Sequence, residues 1–91
     1  MQLVIYVEEG CFGCARARQI AGEIERRHDS IDVSVLDLAE VSTLPEQVVA
    51  VPAYFLDGRL VSLGNPYLSD ITALIEQGLG EEAGHESAEK T

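Results

Sequence analysis

Basic residues are scarce in this chain of 91 residues, which has six Lys and Arg against sixteen Asp and Glu and a formal net charge of −10. Nucleic acids and anionic lipid surfaces attract Lys and Arg, so this balance argues against both as partners. The sequence also lacks tryptophan and has only three Tyr and two Phe. A core built mainly from Val, Ile, Leu and Ala is therefore expected.

Long hydrophobic runs are absent as well. The first apolar run, residues 3–7, is too short to cross a bilayer and follows no basic segment of the kind that opens a signal peptide. We therefore expect no membrane association and a cytoplasmic location. Stable disulfides are uncommon in that compartment. The two cysteines consequently favour redox chemistry or metal binding over a structural crosslink.

Apolar periodicity predicts the element order β-α-β-(α)-β-β-α. The predicted strands cover residues 3–7, 31–38, 52–56 and 60–63, and an Asp-Gly pair at 57–58 predicts a hairpin between the last two. The predicted helices cover residues 12–28, a short stretch near 45–49, and a segment after Pro66 that Gly78 or Gly80 closes.

This order predicts an α/β fold with a mixed four-stranded sheet and helices on both faces, because a strand–helix–strand start implies a right-handed crossover between parallel strands. Residues 1–80 are predicted to form one domain. Residues 81–91 are acidic and have no apolar face to bury, so we expect a disordered tail there. We expect the chain to be a monomer.

Cys11 and Cys14 lie between the first predicted strand and the first predicted helix. A helix N-terminus offers unpaired N–H groups and the positive end of the macrodipole, which lower the pKa of a nearby thiol. Cys11 should therefore react with a disulfide, and Cys14, one turn further into the helix, should resolve the mixed disulfide. Glu8 and Glu9 act against the thiolate, although solvent screens exposed charges.

Two other functions remain open for the same pair. Two thiolates on a loop suit a soft ion, so the chain could be a carrier of copper(I) or zinc. A structural zinc site within one chain is not expected, since it needs four ligands and only two cysteines lie together. The other alternative is a non-catalytic binding module in which the disulfide is a local clamp.

The sequence resembles the thioredoxin/glutaredoxin superfamily. The resemblance covers residues 2 to about 79 and rests on Cys-Phe-Gly-Cys after an apolar strand, Val-Pro at 51–52, the Asp-Gly hairpin, and Gly64 before the last helix. Unlike typical members, the chain has Phe12-Gly13 between the cysteines and Ala50 before Val-Pro.

The resemblance implies a thioredoxin-like fold and a thiol–disulfide oxidoreductase that needs no bound cofactor. It also implies that Pro52 follows a cis peptide bond against the cysteine pair, and that the main chain of Val51 pairs with an extended substrate. Phe12 and Gly64 complete the predicted substrate site, although Phe12 could instead fold back over the helix. The expected partners are a client protein disulfide and, as electron donor, a thiol reductase or a glutathione-type thiol.

Overall fold

The computed structural model describes residues 1–83 of the chain. Its elements in chain order are β1 (Gln2–Val7), α1 (Cys14–Arg27), β2 (Asp32–Asp37), a 3₁₀ helix (Leu38–Glu40), β3 (Ala53–Leu56), β4 (Arg59–Leu63) and α2 (Leu68–Ala83). Of the tail predicted to be disordered, residues 84–91 lie outside the described part of the chain.

The strands form one mixed sheet in the order β2-β1-β3-β4. β1 pairs parallel with β2 and antiparallel with β3, and β3 pairs antiparallel with β4. The predicted four-stranded α/β architecture is therefore confirmed. Asp57 and Gly58 form the hairpin turn with φ angles of 49° and 82°. Two successive positive φ angles give the turn a twist that matches the flanking strands, which explains why Asp-Gly marks it.

Helix α1 buries one face, whose residues recur at helical spacing: Cys14, Ala17, Ile20, Ala21 and Ile24. They pack in one cluster with the fully buried alternate residues of β1, which are Leu3, Ile5 and Val7, and with Ile71 and Ile75 of α2. Since alternate strand residues share a face, both helices cover the same side of the sheet. On the other side, the rings of Tyr6 and Phe55 meet edge to face with centroids 5.5 Å apart.

The short helix predicted at residues 45–49 is wrong. The segment makes only local turns, in which Val48 N–H donates to the Pro45 carbonyl at 3.1 Å and Val49 N–H to the Gln47 carbonyl at 2.9 Å. Isolated turns of this length do not overcome the cost of helix nucleation, and the residue before Pro52 is biased to extended backbone. No helix other than α1, α2 and the 3₁₀ turn occurs within residues 1–83, so none covers the second sheet face there.

Helix α2 also differs from its prediction, because it passes through Gly78 and Gly80 and continues to Ala83, the last residue that the structure describes. A glycine inside a helix costs about 1 kcal/mol relative to alanine but does not by itself end the helix. The predicted domain boundary at residue 80 therefore falls inside α2. Leu74 is 41% exposed, although it lies directly before the buried Ile75.

Candidate active site

Cys11 and Cys14 form a disulfide with a Cα–Cα distance of 5.3 Å. The pair lies in the loop between β1 and α1, and α1 starts at Cys14 with Gly13 as its N-cap. Gly10, with a φ of 79°, makes the turn out of β1 in a conformation that favours glycine. The sulfur pair is therefore placed at the N-terminal end of a helix, as its position in the sequence predicted.

The two sulfurs differ in access. Cys14 is 2% exposed and belongs to the core cluster, whereas Cys11 is only partly buried. The main-chain N–H of Glu8 donates to Cys14 Sγ at 3.5 Å. A reagent arriving from solvent consequently meets Cys11 before Cys14.

Pro52 lies beside this loop. The Val51–Pro52 peptide bond is cis, and Pro52 is buried. Gly64 N–H donates to the Pro52 carbonyl at 2.7 Å, so the structure brings two of the predicted substrate-binding residues together. Val51 is half-buried. Within residues 1–83, neither the N–H nor the carbonyl of Val51 has a hydrogen-bond partner.

Phe12, between the two cysteines, is fully exposed and does not pack over α1. Val49 and Tyr67 are also large exposed apolar side chains, at 77% and 80% exposure. Val49 precedes Val51 by two residues and Tyr67 follows Asn65 by two. These three side chains come from the segments that carry the cysteine loop, the cis-proline and the start of α2.

Asn65 connects that last segment to the cysteine loop, a contact that was not predicted. Its Nδ2 group donates to the Gly13 carbonyl at 2.8 Å, and its Oδ1 accepts the Tyr54 hydroxyl at 2.7 Å. The only sequence signal is an asparagine between Gly64 and Pro66, which predicts no more than a break between elements. Nothing in the order of residues pairs it with Gly13, which lies 52 positions away.

Tyr54 is fully buried in β3. Burial raises the pKa of the Tyr54 hydroxyl to about 12, and the positive charge of Arg16 opposes that shift. The hydroxyl therefore stays protonated at neutral pH and is a permanent donor to Asn65.

A cleft of about 400 Å³ opens beside the disulfide. Its lining residues come from the end of β1, the cysteine loop, α1 and the end of β2: Glu8, Glu9, Gly10, Cys11, Cys14, Ala15, Arg18 and Asp37. Asp37 was not predicted, although the carboxyl ends of the parallel strands β1 and β2 meet at one edge of the sheet. With three carboxylates and one guanidinium, the cleft has an excess of negative charge.

Within residues 1–83, no group of three or more His, Cys, Asp and Glu is arranged to hold a metal ion. No helix in the same range is long and apolar enough to cross a membrane.

No family model and no curated protein matches this chain. Fifteen solved chains do match it. Among them is the NMR structure of reduced glutaredoxin from Escherichia coli, which is 28% identical in sequence and superposes with a TM-score of 0.58. The match covers 87% of this chain and 98% of the glutaredoxin.

Proposed function

We propose that this chain, which is a thioredoxin/glutaredoxin-like protein, is a thiol–disulfide oxidoreductase that uses Cys11 as nucleophile and Cys14 as resolving thiol. The observation that carries the proposal is the Cys11–Cys14 disulfide at the start of α1, with the more accessible sulfur on Cys11. Backbone N–H groups at a helix N-terminus favour the thiolate, which is the reactive form.

The reaction proceeds by two exchanges. The Cys11 thiolate attacks one sulfur of a client disulfide, forms a mixed disulfide with it, and releases the other client sulfur as a thiolate. The Cys14 thiol, deprotonated as it attacks Cys11 Sγ, then displaces the remaining client sulfur and closes the Cys11–Cys14 bond. Two electrons pass to the client, which takes up two protons as it becomes a dithiol. No bound cofactor is required, because both electrons travel through sulfur.

The surroundings of the pair favour an extended segment of a protein as client. The unpartnered main chain of Val51 offers one donor and one acceptor to a strand laid beside it. Phe12 and Tyr67 offer exposed aromatic surface, which proteins use at contacts with partners. Gly64, whose N–H donates to the Pro52 carbonyl, adds no side chain beside this segment.

The oxidised protein must be returned to the dithiol by a donor. A thiol reductase or a low-molecular-weight thiol of the glutathione type supplies the two electrons, again by exchange at Cys11, which is the sulfur that solvent reaches. The expected cellular setting is the cytoplasm, and the expected assembly is a monomer.

Insulin reduction in the presence of dithiothreitol tests the proposal. The wild type should accelerate precipitation of the insulin B chain, and Cys11→Ser should abolish the acceleration. Cys14→Ser should also be inactive in this assay. In a separate assay with a client peptide whose disulfide carries a chromogenic leaving thiol, the same variant should accumulate a mixed disulfide. Equal activity of wild type and Cys11→Ser would contradict the proposal. In that event, copper(I) or zinc retained in stoichiometric amount after purification would indicate the carrier function instead.

A further inference from the structure

We propose that Asn65 is a positioning residue for the redox pair, because its side chain fixes the peptide group between Gly13 and Cys14 at the start of α1. The inference rests on the proposed function and concerns how the chain sets the reactivity of the Cys11 thiol. It assigns a functional part to a residue outside the cysteine loop and outside the cis-proline segment.

The contact itself is short and direct. Asn65 Nδ2 donates to the Gly13 carbonyl oxygen at 2.8 Å, and the same oxygen accepts Ala17 N–H at 3.0 Å as the first bond of α1. Gly13 has no side chain and caps α1 without any side-chain hydrogen bond. The orientation of its peptide group therefore depends on what holds the carbonyl, and Asn65 holds it from another segment of the fold.

Asn65 is in turn fixed by the core. The hydroxyl of Tyr54, which is fully buried in β3, donates to Asn65 Oδ1 at 2.7 Å. The Gly13 carbonyl can only accept, so it requires the Nδ2 end of the amide to face the cysteine loop, and the Tyr54 hydroxyl then donates to the remaining Oδ1. Two consecutive hydrogen bonds thus link the sheet to Gly13 through Tyr54 and Asn65, although Asn65 itself is exposed.

The peptide group that Asn65 holds also carries the N–H of Cys14. In the disulfide form this N–H donates to the Cys11 carbonyl at 3.3 Å, so it points at the residue whose sulfur becomes the thiolate on reduction. A hydrogen bond to the carbonyl of a peptide polarises that peptide and makes its N–H a better donor. Loss of the Asn65 hydrogen bond should thus make this N–H a weaker donor and leave a Cys11 thiolate less stabilised.

The effect on the redox equilibrium has a definite direction, because the thiolate exists in only one of the two redox states. Only the reduced protein carries the thiolate, so a less stabilised thiolate makes the reduced form less stable relative to the disulfide. A variant without the Asn65 contact should react more slowly at Cys11 near neutral pH. Its equilibrium with a glutathione buffer should shift toward the disulfide.

The test uses the full chain as reduced protein. The rate of alkylation by iodoacetamide is followed from pH 5 to 9, and the equilibrium with glutathione is measured on the same samples. Asn65→Ala should lower the alkylation rate at pH 7 by about two- to tenfold, the range expected for one net hydrogen bond. It should raise the pKa read from the pH profile. Tyr54→Phe should move both measurements in the same direction by a smaller factor.

Ser62→Ala is the matched control. Ser62 Oγ donates to the Gly64 carbonyl at 2.8 Å, so it steadies the same segment as Asn65 without contacting the cysteine loop. This variant should keep the wild-type pH profile. The proposal is overturned if Asn65→Ala keeps that profile and equilibrium, or if Ser62→Ala shifts them as much as Asn65→Ala. Alkylation measures the reactivity of the thiol without any client. Failure of insulin reduction alone would therefore reject the proposed function, while the alkylation rates would still test the effect of Asn65.

Discussion

Gly13 lies directly against Pro52, since a Cβ atom built on Gly13 would be 3.4 Å from Pro52 Cδ. The same atom would be 3.0 Å from Asn65 Nδ2, which is tighter than ordinary contact. The φ angle of Gly13 is −94°, a value open to any residue. Close approach of two other segments, rather than backbone conformation, is therefore what demands glycine between the cysteines.

Replacing Gly13 with alanine should consequently lower the free energy of unfolding by about 1 kcal/mol, because alanine is a poor N-cap and the new methyl group presses on the Asn65 amide. Gly22→Ala is the control, and it should raise the free energy of unfolding instead of lowering it. The added methyl group at Gly22 would meet only Arg26 Nη1, at 3.6 Å, and alanine should stabilise the interior of α1 by about 0.5–1 kcal/mol. Urea unfolding of the two variants checks both values, and a Gly13→Ala variant as stable as wild type would refute the close-contact explanation.

The charge of the cleft beside the disulfide should discriminate between small substrates. Oxidised glutathione carries net negative charge, whereas 2-hydroxyethyl disulfide is neutral, and the cleft has three carboxylates against one guanidinium. Glu9→Gln should raise the rate with oxidised glutathione by about two- to fivefold at low ionic strength, where exposed charges act over about 30 Å. The rate with the neutral disulfide should rise by a smaller factor, because there the loss of the Glu9 charge acts only by favouring the Cys11 thiolate.

Glu25→Gln removes the same charge from an exposed position near the far end of α1 and serves as the control. Initial rates for both disulfides at about 0.01 M and 1 M salt complete the comparison, because the Debye length falls to about 3 Å at the higher concentration. If Glu9→Gln and Glu25→Gln change the glutathione rate equally, the cleft is not the source of the discrimination.

Tyr54 should make the protein less stable at high pH. Its pKa rises from 10.0 to about 12 on folding, chiefly because the hydroxyl is buried. Above pH 10 the unfolded chain loses this proton while the folded chain keeps it, so the stability due to the raised pKa is complete below pH 10 and disappears between pH 10 and 12. A tenfold difference in proton affinity between the folded and unfolded chains corresponds to about 1.4 kcal/mol of stability.

Urea unfolding at intervals from pH 8 to 11 measures how steeply the free energy of unfolding falls with pH, with Tyr54→Phe as the comparison. The variant lacks the hydroxyl and should lose stability less steeply above pH 10, even if it is less stable at neutral pH. Parallel slopes in the two proteins would mean that Tyr54 ionises in the folded chain as readily as in the unfolded one.

The elements that surround the cysteines could be predicted from the sequence because each has a strong local signal. The spacing of Cys14, Ala17, Ile20 and Ile24 places them on one helix face whatever the rest of the chain does. Asp57-Gly58 supplies the two positive φ angles that its turn requires. These local signals were sufficient for the order of the strands along the chain and for the position of the cysteine pair, but not for the order of the strands in the sheet.

The parts that depend on long-range contacts could not be predicted. Pro45 suggested a helix start, but its segment has too few residues before Pro52 to continue one. Gly78 and Gly80 suggested a helix end, yet α2 continues to Ala83. Asn65 has no periodic or spacing signal at all, since its function depends on Gly13 and Tyr54 being brought beside it by the fold.

The position of the cysteine loop beyond the end of β1 has a consequence for how the protein could be redesigned. Phe12 and Asn65 are exposed, whereas the branched side chains that hold the sheet and helices together lie elsewhere, in the cluster around Leu3, Ile5 and Ile20. Apart from Cys14, which belongs to that cluster, the residues expected to contact a client are therefore largely separate from those that form the core. A library varied at Phe12 would sample client choice while each member kept the same core.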